Sequence, residues 1–160
     1  MKHSTLVQAG YKWLLSIGCA FAFKELVTVS KETPDVIGFK GNNSYMLECK
    51  TSRSDFFADK KKSFRKYPAE GMGRFRFYVC PKNMLKVEDL PTNWGLIYVN
   101  GNGKAEIQHN PYCKSLTGNI FKGGFYKRNK ENEMRMMYSA LRRLHILKKI
   151  DRIYEVKGYK

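Results

Sequence analysis

Residues 33–52 read TPDVIGFKGNNSYMLECKTS. Apolar residues alternate on both sides of Gly41, Asn42 and Asn43, and Gly and Asn adopt the positive φ of a tight turn at little cost. The stretch predicts a β-hairpin in which DVIGFK pairs with SYMLECK. With the turn centred on Asn42, Asp35 falls opposite Cys49 and its carboxylate comes beside Glu48 on the neighbouring strand. Glu48 and Lys50 are two residues apart and share a face. Two acids and an amine at one strand junction are either ordinary strand-end charges or a site for a hard divalent cation, which relieves the repulsion between paired carboxylates.

Outward from the hairpin the pattern changes period. Upstream, Ser4–Ser16 carries Leu6, Val7, Tyr11, Leu14 and Leu15 at helical spacing, with Ser4 or Thr5 as cap and Gly18 as stop. Residues 19–29, CAFAFKELVTV, read as a strand. Downstream, Ser52-Arg53-Ser54-Asp55 offers capping residues to FFADKKKSFRKY, a basic helix expected to end before Pro68. The loop AEGMGR leads to the strands FRFYVC and WGLIYVN, and NGNG turns the second into KAEIQHN. Residues 111–130 read as a basic loop. From Glu131, Met134, Met137, Tyr138, Leu141, Leu144, Leu147 and Ile150 recur every three or four residues, an amphipathic terminal helix whose apolar face suits pairing with a second copy. The order predicts an α/β domain, a small mixed β-sheet flanked by helices, with a C-terminal amphipathic helix.

The chain has 160 residues, enough for one well-buried domain. No run approaches the roughly 18–20 apolar residues of a membrane span. The stretch 4–23 is interrupted by Gln8, Gly10, Tyr11 and Lys12, which argues against a signal peptide and for an intracellular, cytoplasmic protein without membrane association. Cys19, Cys49, Cys80 and Cys113 lack the close pairing of zinc ligands and read as buried thiols; His3, His109 and His145 are scattered. Thirty Lys and Arg against fourteen Asp and Glu give a net charge of +16. A self-repulsion of that size calls for a polyanionic partner, and nucleic acid is the commonest.

Pro34-Asp35 followed by Glu48-Cys49-Lys50 resembles the motif of the PD-(D/E)XK nuclease superfamily, and the element order resembles that superfamily's restriction-endonuclease-like core. The resemblance implies that Asp35 and Glu48 are metal ligands together with the Cys49 backbone carbonyl, that Lys50 is the catalytic lysine, and that Glu25 is the additional upstream acid. Mg2+ is the implied ion, with Mn2+ as its substitute. ECKTSRSDFFADKK is similar to a stretch of the MmcB-like DNA-repair branch, and RFYVCP, WGLIYVNGNGKAEI and MYSALRRL extend the likeness along most of the chain. Where that branch follows its helix lysine with Trp-Pro-Asp-Tyr, this chain has KSFRKYPAEGMGR, so the substrate does not carry over with the motif. On this reading residues 1–125 form the nuclease-like domain, and residues 126–160 a basic segment and helix packed on or extending it.

Residues expected to meet DNA, or RNA, are Ser52, Arg53, Lys60, Lys61, Lys62 and Arg65 on the basic helix, Arg74 and Arg76 on the following strand, and Lys127 and Arg128 in the loop. Asp55 reads as a helix-start acid or a ligand, and Asp59 as the intrahelical partner of Lys62 or a lysine near it. Three functions fit these features. One is a metal-dependent DNA nuclease in repair or processing; another is an inactive nuclease-like binding or inhibitory module; the third is an RNA-binding protein whose hairpin acids are incidental.

Overall fold

The hairpin forms, with a register one residue from the expected one. The computed structural model describes residues 1–116 and 118–158, and its sheet is centred on β2 (Val36–Lys40), β3 (Asn43–Cys49) and β4 (Phe75–Pro81). Lys40 pairs with Asn43 and Val36 with Leu47, so the turn holds only Gly41 and Asn42, and Gly41 takes φ +55°. Continued by one step, that register sets Asp35 opposite Glu48 rather than Cys49.

Among the described residues six strands lie in sequence order, with β1 (Phe21–Lys24) at one edge, β5 (Gly95–Val99) beyond β4, and β6 (Ala105–His109) at the other edge. β2 runs antiparallel to both β1 and β3, β3, β4 and β5 run parallel, and β6 returns antiparallel to β5. The fold is α/β with a mixed sheet flanked by helices. The β3-to-β4 crossover carries α2 (Arg53–Asp59) and α3 (Ser63–Lys66).

Both faces of the central strands are covered. On one, α1 (His3–Ser16) sets Leu6 and Leu14 against Val36, Leu47, Phe77 and Val79. It lies so close that a Cβ on Gly10 would come within 2.8 Å of the Leu47 side chain. On the other face Ile37, Met46, Tyr78 and Trp94 meet Phe56 of α2 and Met136 of α4 (Lys130–Ile146). Cys19, Cys49 and Cys80 are buried and free, as their apolar surroundings predict.

Three elements depart from expectation. The strand expected over 19–29 is only four residues long, because Glu25 takes φ +47° and turns the backbone away from the edge. The basic helix breaks at Lys60–Lys62. On a continuous helix, at about 100° per residue, Arg65 would lie about 120° around the axis from Asp59; the break lets Arg65 Nε reach Asp59 Oδ2 at 2.9 Å. The terminal helix stops at Ile146, and Lys148 beyond it has φ +54°.

α4 is fastened at its start, where Asn129 caps Asn132 N–H and the buried Glu133 carboxylate accepts from Ser44 Oγ, Gly73 N–H and Arg128 Nε. Farther along, Tyr138, Leu141, Ile146 and Leu147 are exposed. Among the described residues no helix is long and apolar enough to cross a membrane.

Candidate active site

At the open end of the hairpin the Asp35 carboxylate is divided between two neighbours. Oδ2 accepts from Cys49 N–H at 2.7 Å, and Oδ1 lies 3.3 Å from His3 Nε2. His3 Nε2 is also 3.4 Å from Glu25 Oε1, and Glu25 N–H donates to Asp35 O at 3.0 Å. His3, Glu25 and Asp35 each offer one ligand atom, all within 4.8 Å of one another. The sequence names Glu25 and Asp35 but gives no reason to add His3; only the packing of α1 across the sheet brings it here.

Burial pushes the Asp35 carboxyl up, the Glu48 charge pushes it further, and the Cys49 N–H and His3 pull it back, leaving it at about 6. A carboxyl raised from 3.8 to about 6 favours the fold below pH 3.8 and loses that contribution as pH rises through about 6, a difference of about 3 kcal/mol at neutral pH. Asp35→Asn removes the charge but weakens the bond from Cys49 N–H. In EDTA at neutral pH the variant is therefore expected to be about 1–2 kcal/mol more stable than wild type. The gap should close by about pH 4, where Asp35 is protonated anyway; urea melts at both pH values read it, and a variant less stable at neutral pH would contradict the argument.

Glu48 and Lys50 lie on the same face of the β3 end, as the two-residue spacing predicts, in a buried network that the sequence reading only partly anticipates. Lys50 Nζ is 3.5 Å from Glu48 Oε2, 3.4 Å from Asp59 Oδ1 and 3.9 Å from Asp55 Oδ1. Burial works against this ammonium, but Glu48, Asp59 and Asp55 outweigh it and hold the pKa above the ordinary lysine value. Lys50 is therefore a cation at neutral pH and no base. Asp55 is a helix-start acid whose N–H bonds the Ser52 cap at 3.2 Å, and Asp59 pairs with Lys62 at 2.9 Å, both as expected.

Arg65 does not face outward. Its guanidinium bonds Glu32, sits 2.6 Å from Glu48 Oε1 and 2.9 Å from Asp59 Oδ2, and lies over the Trp94 ring. Three carboxylates thereby meet Lys50, Lys62 and Arg65. Glu32 was missed because it stands in a polar loop with no periodicity; its other oxygen accepts from Met72 N–H at 2.6 Å.

The remaining basic residues fall into separate groups. Arg53, Lys60, Lys61 and Lys62 lie on or beside α2 near the site, although Arg53 pairs with Asp89 at 2.8 Å and Lys60 donates to Asp89 O at 3.0 Å. Arg74, Lys127 and Arg128 belong to the turn end of the hairpin, roughly 16 Å away at about 3.3 Å per strand residue. There Arg74 bonds Asn43 Oδ1 at 2.6 Å and stacks on Tyr126, while Arg128 pairs with Glu133 at 3.0 Å. Arg76 is inside the protein, donating to the carbonyls of Gly73, Gly71 and Pro68, and burial pulls its pKa down to about 10. The strand that carries it is covered on both faces, so alternation gives it no solvent side.

No family model matches this chain, and no curated protein matches it. A protein of unknown function from Silicibacter pomeroyi has a similar solved structure: 22% identity over 100% of this chain and 98% of that chain, with a TM-score of 0.60. At that identity the likeness shows a shared fold, and what the site does rests on its own residues.

Proposed function

We propose that the chain is a metal-dependent DNA nuclease of the PD-(D/E)XK type, with a restriction-endonuclease-like core. One observation carries the reading: the hairpin register sets Asp35 opposite Glu48 at the strand ends, with Lys50 Nζ 3.5 Å from Glu48. The order of helix, three antiparallel strands, helix and parallel strand supports the core assignment.

The donor set fits a divalent ion. Asp35 is mostly buried, and among the described residues His3 alone is within ion-pair distance; Glu25 is beside it, and Cys49 turns its amide, and with it the carbonyl of the same extended residue, toward Asp35. Glu48 stands outside the group of His3, Glu25 and Asp35: Arg65 holds its Oε1 and Lys50 Nζ lies 3.5 Å from its Oε2, so it would join the ion through Oε2, shared with Lys50. Mg2+ or Mn2+ there would supply charge to a phosphate and acidity to water. The chain's own part is positional. Lys50, a fixed ammonium held by Glu48 and Asp59, is placed to neutralise a phosphate oxygen, and Arg65 locks Glu48 in orientation. Exposed Lys61 and half-exposed Lys62 on the same crossover offer contacts to the flanking backbone.

The test is a panel of single-stranded, duplex and branched DNA, with RNA beside it. Cleavage is expected with Mg2+ or Mn2+ and none in EDTA. Binding should weaken steeply between about 50 and about 200 mM salt, with a slope of about −0.9 per neutralised phosphate on duplex. The matching of the three buried acids Glu32, Glu48 and Asp59 by Arg65, Lys50 and Lys62 favours a second reading, a nuclease-like scaffold that binds DNA without cutting it. Absence of cleavage throughout the panel, together with no calorimetric metal binding, would select it.

A further inference from the structure

His3 has no role in the motif that names Asp35 and Glu25, yet it stands between them. Its Nε2 is 3.3 Å from one carboxylate and 3.4 Å from the other. Adjacent ligands around an octahedral ion with bonds of about 2.1 Å are about 3.0 Å apart. The imidazole is thus a few tenths of an ångström from a ligand's separation to each acid. Packing holds it there: α1 begins at His3 and is anchored in the core by Leu6 and Leu14, and Lys24 Nζ ties the strand before Glu25 to α1 through Gln8 at 3.1 Å. Cys49 N–H, by holding Asp35 Oδ2, leaves Oδ1 toward His3, the kind of outer bond that orients a ligand carboxylate.

We propose that His3, through Nε2, is a further protein ligand of the divalent ion, beside Asp35 and Glu25, and that it tips this site from magnesium toward manganese. The inference rests on the nuclease reading for the presence of an ion. Magnesium takes oxygen ligands and gives up its waters reluctantly, whereas first-row ions accept imidazole nitrogen readily. A site of two carboxylates and one imidazole keeps positions open for water and substrate while penalising the ion that gains least from nitrogen. Without His3 the same two acids form an oxygen site with little preference.

The test measures binding without relying on activity. The full chain, with any tag at its C-terminal end, is titrated calorimetrically with Mn2+ and with Mg2+, as wild type, His3→Ala and His3→Gln. The wild type is expected to bind Mn2+ at least about tenfold more tightly than Mg2+. Both variants should lose about tenfold or more in Mn2+ affinity and less than about threefold in Mg2+ affinity. Pulsed electron paramagnetic resonance of the Mn2+-loaded wild type should show nitrogen hyperfine coupling that both variants lack. Equal Mn2+ affinity in wild type and His3→Ala, or no nitrogen coupling in wild type, overturns the proposal. Mn2+ bound through nitrogen with no substrate cleaved would sink the nuclease reading and leave this one standing. Mg2+-driven cleavage with His3→Ala unchanged in both Mn2+ affinity and rate would do the reverse.

Discussion

Arg65→Met is expected to cost the fold about 4 kcal/mol or more, a large share of the roughly 5–15 kcal/mol that a domain of this size has. The guanidinium bonds Glu32, Glu48 and Asp59 in the interior, so its loss strands three acids in a low-dielectric space, where Lys50 pairs with Glu48 and Asp59, and Lys62 with Asp59, but Glu32 loses its ion-pair partner. Methionine fills much of the volume but supplies no charge, which separates the electrostatic loss from a cavity. The deficit should shrink as pH falls through the carboxylate range, because protonation removes the repulsion that Arg65 offsets. Urea melts at neutral pH and near pH 4 measure both, and a neutral-pH loss under about 1 kcal/mol would contradict the role assigned to this residue.

On the nuclease reading proposed above, Lys50→Ala is expected to lower the cleavage rate by about 10²–10³, the usual effect of removing one preorganised charge from a developing anion. DNA affinity should change by less than about threefold, since Lys50 is buried and makes at most one phosphate contact. The fold should survive, because Glu48 keeps Arg65, and Asp59 keeps Arg65 and Lys62. Single-turnover cleavage at saturating protein isolates the chemical step. A rate within about threefold of wild type in correctly folded Lys50→Ala would remove Lys50 from the mechanism.

How much of this was readable in advance follows from the range over which each signal acts. The hairpin, α1, and the central strands were legible because alternation and helical spacing are local consequences of side chains seeking one face. The register slipped by one since Gly41, Asn42 and Asn43 all suit a turn, and only pairing across the strands decides which two form it. The pairing of Glu48 with Lys50 was legible from their two-residue spacing, but the division of the acids, Asp35 beside His3 and Glu25, and Glu48 beside Arg65, was not. His3 comes from a helix thirty-two residues before Asp35, and Arg65 turns inward only because the crossover breaks after Asp59. Arg65 and Arg76 misled for one reason: a basic residue in a basic chain reads as surface, whereas these two satisfy buried carboxylates and carbonyls.

Glu133 bears on where the protein can be divided. Composition suggests a seam near residue 125, yet one carboxylate from beyond that point simultaneously receives the Ser44 hydroxyl, the Gly73 amide and the Arg128 side chain, while Met136 occupies the interior one turn later. Severing the chain there would leave two orphaned donors and an open hole under the sheet. The terminal segment is a keystone of the same domain, and any natural variant that sheds it has to rebuild that corner by other means.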